Sequence, residues 1–288
     1  MTDSVVKARA PDLRDAAPGA DRPITVRPRA YGLAGRPTRA ISLAALAGLL
    51  LVWDLVTRFG LVQSLFLPAP GEVWTQLVAI TTEGYAGATL PEHVAASLMR
   101  ILAAAVIASL TAIPIGLAMG LNRWAKGLAD PIIELYWPVP PLAYLPLMII
   151  WLGIGEASKV TLLTLAMFAP ICLSAQAGVR GLPVERINAA LSLGGTRAQV
   201  FRTVVLPGAL PEILTGLRIA VSVGWSTLVA AELIAATCGI GFMIMTAAQF
   251  LATDVVFVGI GVIAACALTF SLGLRRLERW LVPWQGHD

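Results

Sequence analysis

A chain of 288 residues with 57% hydrophobic and only 13% charged residues cannot cover a water-soluble globule, because ordinary globular domains carry about 25% charge. The formal net charge is +4 and the mean hydropathy is +0.79. This balance excludes a soluble enzyme and excludes disorder for the bulk of the chain, and it points to a polytopic membrane protein.

Residues 1–39 differ from the rest. They hold eight Lys and Arg residues, four Asp, and scattered Pro and Gly, and they read as a disordered basic tail. A signal peptide would need a short n-region and a small-residue cleavage site after its apolar core. The tail is either solvated or drawn to anionic headgroups. A spanning helix needs about 20 mostly apolar residues. Six windows qualify, near residues 40–59, 96–121, 142–154 (extended inward from Leu128), 160–179, 213–236 and 255–274. The third is interrupted by Pro138, Pro140, Pro141 and Pro146. Broken backbone at membrane depth survives only against protein or a wet cavity. Between the first two spans, residues 61–95 form an outer connection, with a turn at Pro68, Pro70 and Gly71 and a short interfacial helix over Glu72–Ile80.

Lys and Arg set the orientation. With the N-terminus inside, 18 of the 21 basic residues lie on the inner side. Arg58, Arg100 and Lys159 lie outside or near the outer boundary. Both termini are then cytoplasmic. Among the other polar groups, two histidines, His93 and His287, cannot build a His-rich metal site. The three lysines, Lys7, Lys126 and Lys159, precede Ala, Gly and Val, whereas a phosphate-binding loop needs Gly-Lys-Ser/Thr. Cys172, Cys238 and Cys266 lie in apolar stretches without paired spacing and read as small core residues.

The longest inner loop is 181–212. Asn188–Leu193 is helix-like and stops at Gly194–Gly195. Thr196 with Gln199 three residues on is a capping box. It opens a second helix expected to run to Val205 and to end at Leu206–Pro207. Val200, Phe201, Val204 and Val205 share one face, and Arg197 and Arg202 lie off it. Such a helix either docks onto a soluble partner or lies on lipid; periodicity does not separate the two.

The residues AALSLGGTRAQVFRTVVLP resemble the EAA loop of permease subunits of bacterial ABC importers. Ala189–Ala190, Gly194, Val204 and Leu206–Pro207 match that pattern, and Asn188 stands where Glu is usual. From about residue 40 onward, PVPPLAYLPLMIIWLGIGEASK, LPGALPEILTGLRIAVSVGWSTLVAAELIAAT, FLATDVV and RWLVPWQG are similar to the nitrate/sulfonate/taurine branch of that family. The resemblance implies an all-α type I importer permease with six transmembrane helices, its core at about 92–276 and its coupling loop at 181–212. It implies a bacterial inner-membrane homodimer with two ATP-binding subunits and a periplasmic solute-binding protein. ATP and Mg would be held by the partner ATPase, with no cofactor, metal or catalytic residue in this chain and no nucleic acid as partner. Coupling to the ATPase would fall to Asn188, Ala189, Ala190, Gly194, Gly195, Arg197, Arg202, Leu206 and Pro207. The two arginines either pair with acids there or serve only as inner-side anchors. The implied substrate is taurine. Another alkanesulfonate, nitrate or a pyrimidine precursor fits the same fold.

A path for a small zwitterion calls for polar groups inside the spans. The candidates are Ser174, Gln176, Ser222, Trp225, Ser226, Thr227 and Glu232. Glu232 is expected to face protein or water, since a carboxylate in lipid is costly. It either meets the substrate amine or braces helices. Ser and Thr here also suit close helix packing. Glu156 and Lys159 are expected to pair at i, i+3, with contact to the binding protein as the alternative. A secondary transporter would need coupling-ion sites and related halves, and neither is visible.

Overall fold

The computed structural model describes residues 39–283. Of the expected tail, residues 1–38 lie outside the described residues. The described chain is helical, with one isolated β-bridge between Tyr85 and Ala88. Its helices are α1 (Arg39–Arg58), α2 (Pro70–Thr82), α3 (Leu90–Leu121), α4 (Arg123–Tyr136), α5 (Leu145–Leu152), α6 (Glu156–Arg180), α7 (Val184–Ser192), α8 (Arg197–Val200), α9 (Leu206–Ala235), α10 (Ile240–Gln249) and α11 (Thr253–Leu281). The chain divides into two compact units, Met1–Leu49 and Leu50–Asp288. The described part of the first is helical throughout and belongs to α1.

Among the described residues, five helical stretches are long and apolar enough to cross a membrane: 40–58, 90–121, 156–180, 197–235 and 253–281. The expected sixth, near 142–154, is not one rod. α4 and the helical segment Pro141–Leu152 meet at 91°. Pro138, Pro140 and Pro141 fall at the corner, where each lacks the N–H that helix continuation requires. Six spans are obtained when this bent pair is taken as one. The interfacial helix expected near Glu72–Ile80 is α2, with Pro70 at its start and Glu72 Oε2 accepting the Ala69 N–H at 2.9 Å. α10 was not expected from the sequence. At ten residues it is too short for a spanning window.

The core is a layer of α3, α6 and α9, with α6 in contact with both neighbours. In α6 67% of the most apolar window is buried. The packing face of α3 is a stripe of small residues, Ala104, Ala108, Ala112 and Gly116. In lipid there is no hydrophobic drive between helices, so close backbone approach is what holds them together. A Cβ on Gly116 would lie 2.2 Å from the Cys172 carbonyl oxygen of α6, and one on Gly216 of α9 would lie 2.3 Å from the Ser174 Cβ. Gly therefore sets both contacts. Met119 and Cys172 fill the gap beside the first of them.

Candidate functional site

Two regions gather the chemistry. The first is the loop after α6. α7 ends on Gly194, whose φ of +86° is a left-handed conformation that Gly adopts without strain. Nothing lies within 4 Å of a Cβ built on Gly194, so backbone conformation and not crowding demands glycine there. Crowding falls on Gly195, where an added Cβ would sit 2.8 Å from the Ala190 carbonyl oxygen. That oxygen accepts the Gly195 N–H at 3.1 Å. The capping box forms: Gln199 Oε1 accepts from the Thr196 N–H at 2.8 Å and from its hydroxyl at 2.9 Å.

Two expectations about this loop are corrected. The helix does not stop at Leu206–Pro207. A π-helical turn, Phe201–Val205, joins α8 to α9, with the Leu206 N–H bonded to the Phe201 oxygen. The widened turn and Pro207's place in the first turn of α9 spare the missing proline N–H. Nor is the apolar face free to dock. Val200 and Val205 are buried with Val179, Ala209 and Ile213, and Phe201, Val204, Ala190 and Ile187 pack around them. The face turned outward carries Asn188, Ala189, Arg197 and Arg202, all exposed, with Gly194. Val184, Leu191 and Leu193 are exposed there as well, and Leu193 reaches 90% exposure. Leu206 is exposed and Pro207 half-buried at the start of α9.

The second region lies at the opposite end of α3 and α9. His93, Ser97 and Arg100 follow at i, i+4 and i+7 on one face of α3, and all three are buried. They converge on Glu232 of α9 and on the turn that opens α10. Glu232 is 1% exposed. Its Oε1 accepts from Arg100 Nη1 at 2.6 Å and from the Ser97 hydroxyl at 2.7 Å. Its Oε2 accepts the Gly241 N–H at 2.9 Å. Ser97 Oγ accepts the Ile240 N–H at 2.9 Å, and His93 Nδ1 accepts the Gly239 N–H at 3.0 Å. Nε2 of His93 therefore carries the proton and donates to the Tyr85 carbonyl at 2.9 Å. Three side chains from two other helices thus satisfy the amides at the start of α10, which have no partner within that helix. Arg100 also donates to the Cys238 carbonyl at 2.7 Å and to Glu156 through Nε and Nη2 at 2.6 and 2.8 Å. The expected Glu156–Lys159 pair forms at 2.8 Å.

Glu232 therefore ties α3, α9 and α10 together. Charge counting gives Arg100 a side of the membrane but no partner. It is buried, and both its charged partners are carboxylates. The remaining in-span candidates separate. Gln176, Trp225 and Thr227 are buried, Ser174 is half-buried, and Ser222 and Ser226 are exposed. Ser222, Ser226 and Thr227 donate to carbonyls four residues earlier in their own helix. Gln176 Nε2 and Trp225 Nε1 are buried without a hydrogen-bond partner. The seven do not form one cluster.

Known proteins bear on this arrangement. The family described as "Binding-protein-dependent transport system inner membrane component" matches residues 111–285. The taurine transport system permease protein of Escherichia coli is 59% identical over 247 residues, covering 85% of this chain and 90% of its own length. A putative aliphatic sulfonates transport permease of the same organism is 36% identical over 82% of this chain and 89% of its own. Among solved structures, an inward-facing form of the MetNI methionine ABC transporter aligns with a TM-score of 0.58 at 18% identity. It covers 67% of this chain and 95% of that one, which establishes a shared permease fold. With both regions built on that fold, the chain belongs to the family of binding-protein-dependent transport system inner membrane components.

Proposed function

We propose that the chain is the translocating subunit of an ATP-driven importer that carries taurine inward. It works as a homodimer with two ATP-binding subunits inside and a solute-binding protein outside. The observation that carries this reading is the 59% identity to a taurine permease over nearly the whole of both chains. The chain has no Gly-Lys-Ser/Thr site, so ATP and Mg belong to the partner. The 18-to-3 division of basic residues supports an orientation with both termini and the 181–212 loop in the cytoplasm. Single cysteines at Arg186 and Gly84 in a Cys-free background are expected to label from opposite sides. Labelling of both from outside contradicts the orientation.

The loop has the form a mechanical coupling needs. Asn188, Ala189, Gly194, Arg197 and Arg202 face outward for the ATPase, while the apolar side of the segment is locked into the membrane domain. α8 runs through the π turn into α9, a 30-residue helix of roughly 45 Å at 1.5 Å per residue. A push at 194–206 therefore reaches the Glu232 end through one continuous backbone. Replacing Gly194 by Leu forces an L-residue into a left-handed turn, at about 1–2 kcal/mol, and reorients α7 against α8. The expected result is an inserted complex that still hydrolyses ATP but whose uptake falls roughly tenfold or more, the factor that a 1.4 kcal/mol loss of coupling gives. Normal uptake in that variant removes the coupling role.

A different sulfonate is the second reading, favoured by the aliphatic-sulfonate relative. Competition decides between them. Labelled taurine uptake into vesicles holding the whole complex is measured against excess taurine, a longer alkanesulfonate or nitrate. Unlabelled taurine is expected to inhibit at lower concentration than either other anion; inhibition by the long-chain sulfonate or nitrate at lower concentration than taurine overturns the substrate.

A further inference from the structure

The ionic cluster around Arg100 has an asymmetry that bracing does not require. The side chains of Arg100, Lys159 and Glu232 are 6%, 3% and 1% exposed, but that of Glu156 is 61% exposed. Two buried cations thus face one buried carboxylate, and the balance is made by a carboxylate already in contact with solvent. Glu232 is fastened by Ser97, Arg100 and the Gly241 amide. Glu156 is held by the two cations: Arg100 Nε meets Oε2 at 2.6 Å, Arg100 Nη2 meets Oε1 at 2.8 Å and Lys159 Nζ meets Oε1 at 2.8 Å. It is also the first residue of α6, where a side chain turns into solvent without disturbing the helix. The cations have no such freedom, because burying an unpaired charge is costly.

We propose that the Arg100 fork and Lys159 form a binding site for a small oxyanion of the sulfonate class, for which the Glu156 carboxylate is the resident substitute. A planar guanidinium edge donates to two oxygens of a carboxylate or sulfonate side by side, and the third oxygen of a sulfonate can accept from the Lys159 ammonium. Glu156 alone has to divide Oε1 between the two cations. The anion takes the place of the Glu156 carboxylate, which moves into water, and the buried charge stays balanced throughout. The site lies at the end of α3 and α9 opposite the coupling loop, where the substrate enters under the reading above, and its ligand class rests on that reading.

The test uses the purified complex of permease and ATP-binding subunits in lipid nanodiscs, without binding protein, and follows the melting temperature as methanesulfonate is added. Wild type is expected to respond weakly, because Glu156 competes. Glu156→Ala is expected to melt lower and to be restored by methanesulfonate, with a half-effective concentration about tenfold or more below wild type, the factor that removing a competitor worth 1.4 kcal/mol gives. Adding Lys159→Gln should abolish the response. Should Glu156→Ala fail to assemble, Glu156→Gln is read in the same way. A melting temperature independent of methanesulfonate in the Glu156 variants overturns the site, as does an equal response in the double variant. A response to nitrate but not to methanesulfonate overturns its ligand class. Because the readout is binding, a negative result leaves the importer reading standing, and a failure of taurine uptake leaves the melting result standing.

Discussion

Glu232→Ala is expected to destabilise the permease by about 3–5 kcal/mol, the range for removing one partner of a buried ion pair. The carboxylate is 1% exposed and takes three side-chain hydrogen bonds from Ser97 and Arg100 and a fourth from the Gly241 amide. Without it Arg100 loses its only fully buried counter-charge, and the start of α10 loses a cap. Glu232→Gln retains the shape, but it turns an NH₂ toward donors and removes the charge, so it should fall between alanine and wild type. Uptake should fall with stability in both, since the group holds α3, α9 and α10 together. Thermal unfolding of the purified complex in detergent checks this. A Glu232→Ala complex as stable as wild type would show that the cluster contributes nothing to holding α3, α9 and α10 together.

Gly116→Ala is expected to be nearly as damaging, at about 1–3 kcal/mol or more by overpacking. The added methyl meets the Cys172 oxygen at 2.2 Å and the Ala175 Cβ at 2.8 Å. The first of these is backbone and cannot rotate away, so α3 and α6 must separate along a contact that lipid does not otherwise enforce. Gly127→Ala is the control. It lies in α4 with nothing within 4 Å of an added Cβ, and alanine's helix propensity should leave it neutral or slightly stabilising. Equal melting temperatures for Gly116→Ala and wild type would reject the close-packing account.

Much of this was legible in the sequence for physical reasons that can be named. Five spans follow from apolar length, and the prolines at 138–141 announce the corner in the sixth. The Thr196–Gln199 cap and the Glu156–Lys159 pair are local, at i, i+3, and local spacing is what a sequence displays. Arg100 escaped because charge counting assigns every Arg to one side of the membrane, whereas its partners lie 56 and 132 residues away. The spacing of His93, Ser97 and Arg100 on one face of an apolar helix was the available signal. The continuation through Pro207 was hidden because Leu-Pro reads as a stop, and only the π turn lets the helix pass. The apolar face of α8 had two expected homes, and its actual one is the protein interior, a choice that depends on where α6 and α9 lie.

Under the proposed function this chain moves taurine only when a partner hydrolyses ATP and a binding protein delivers the substrate. Labelled taurine uptake into proteoliposomes containing the permease and its ATP-binding subunits, with binding protein and ATP each supplied or withheld, tests it most directly. Accumulation is expected only when both are present. Accumulation of taurine without either of them would contradict the account.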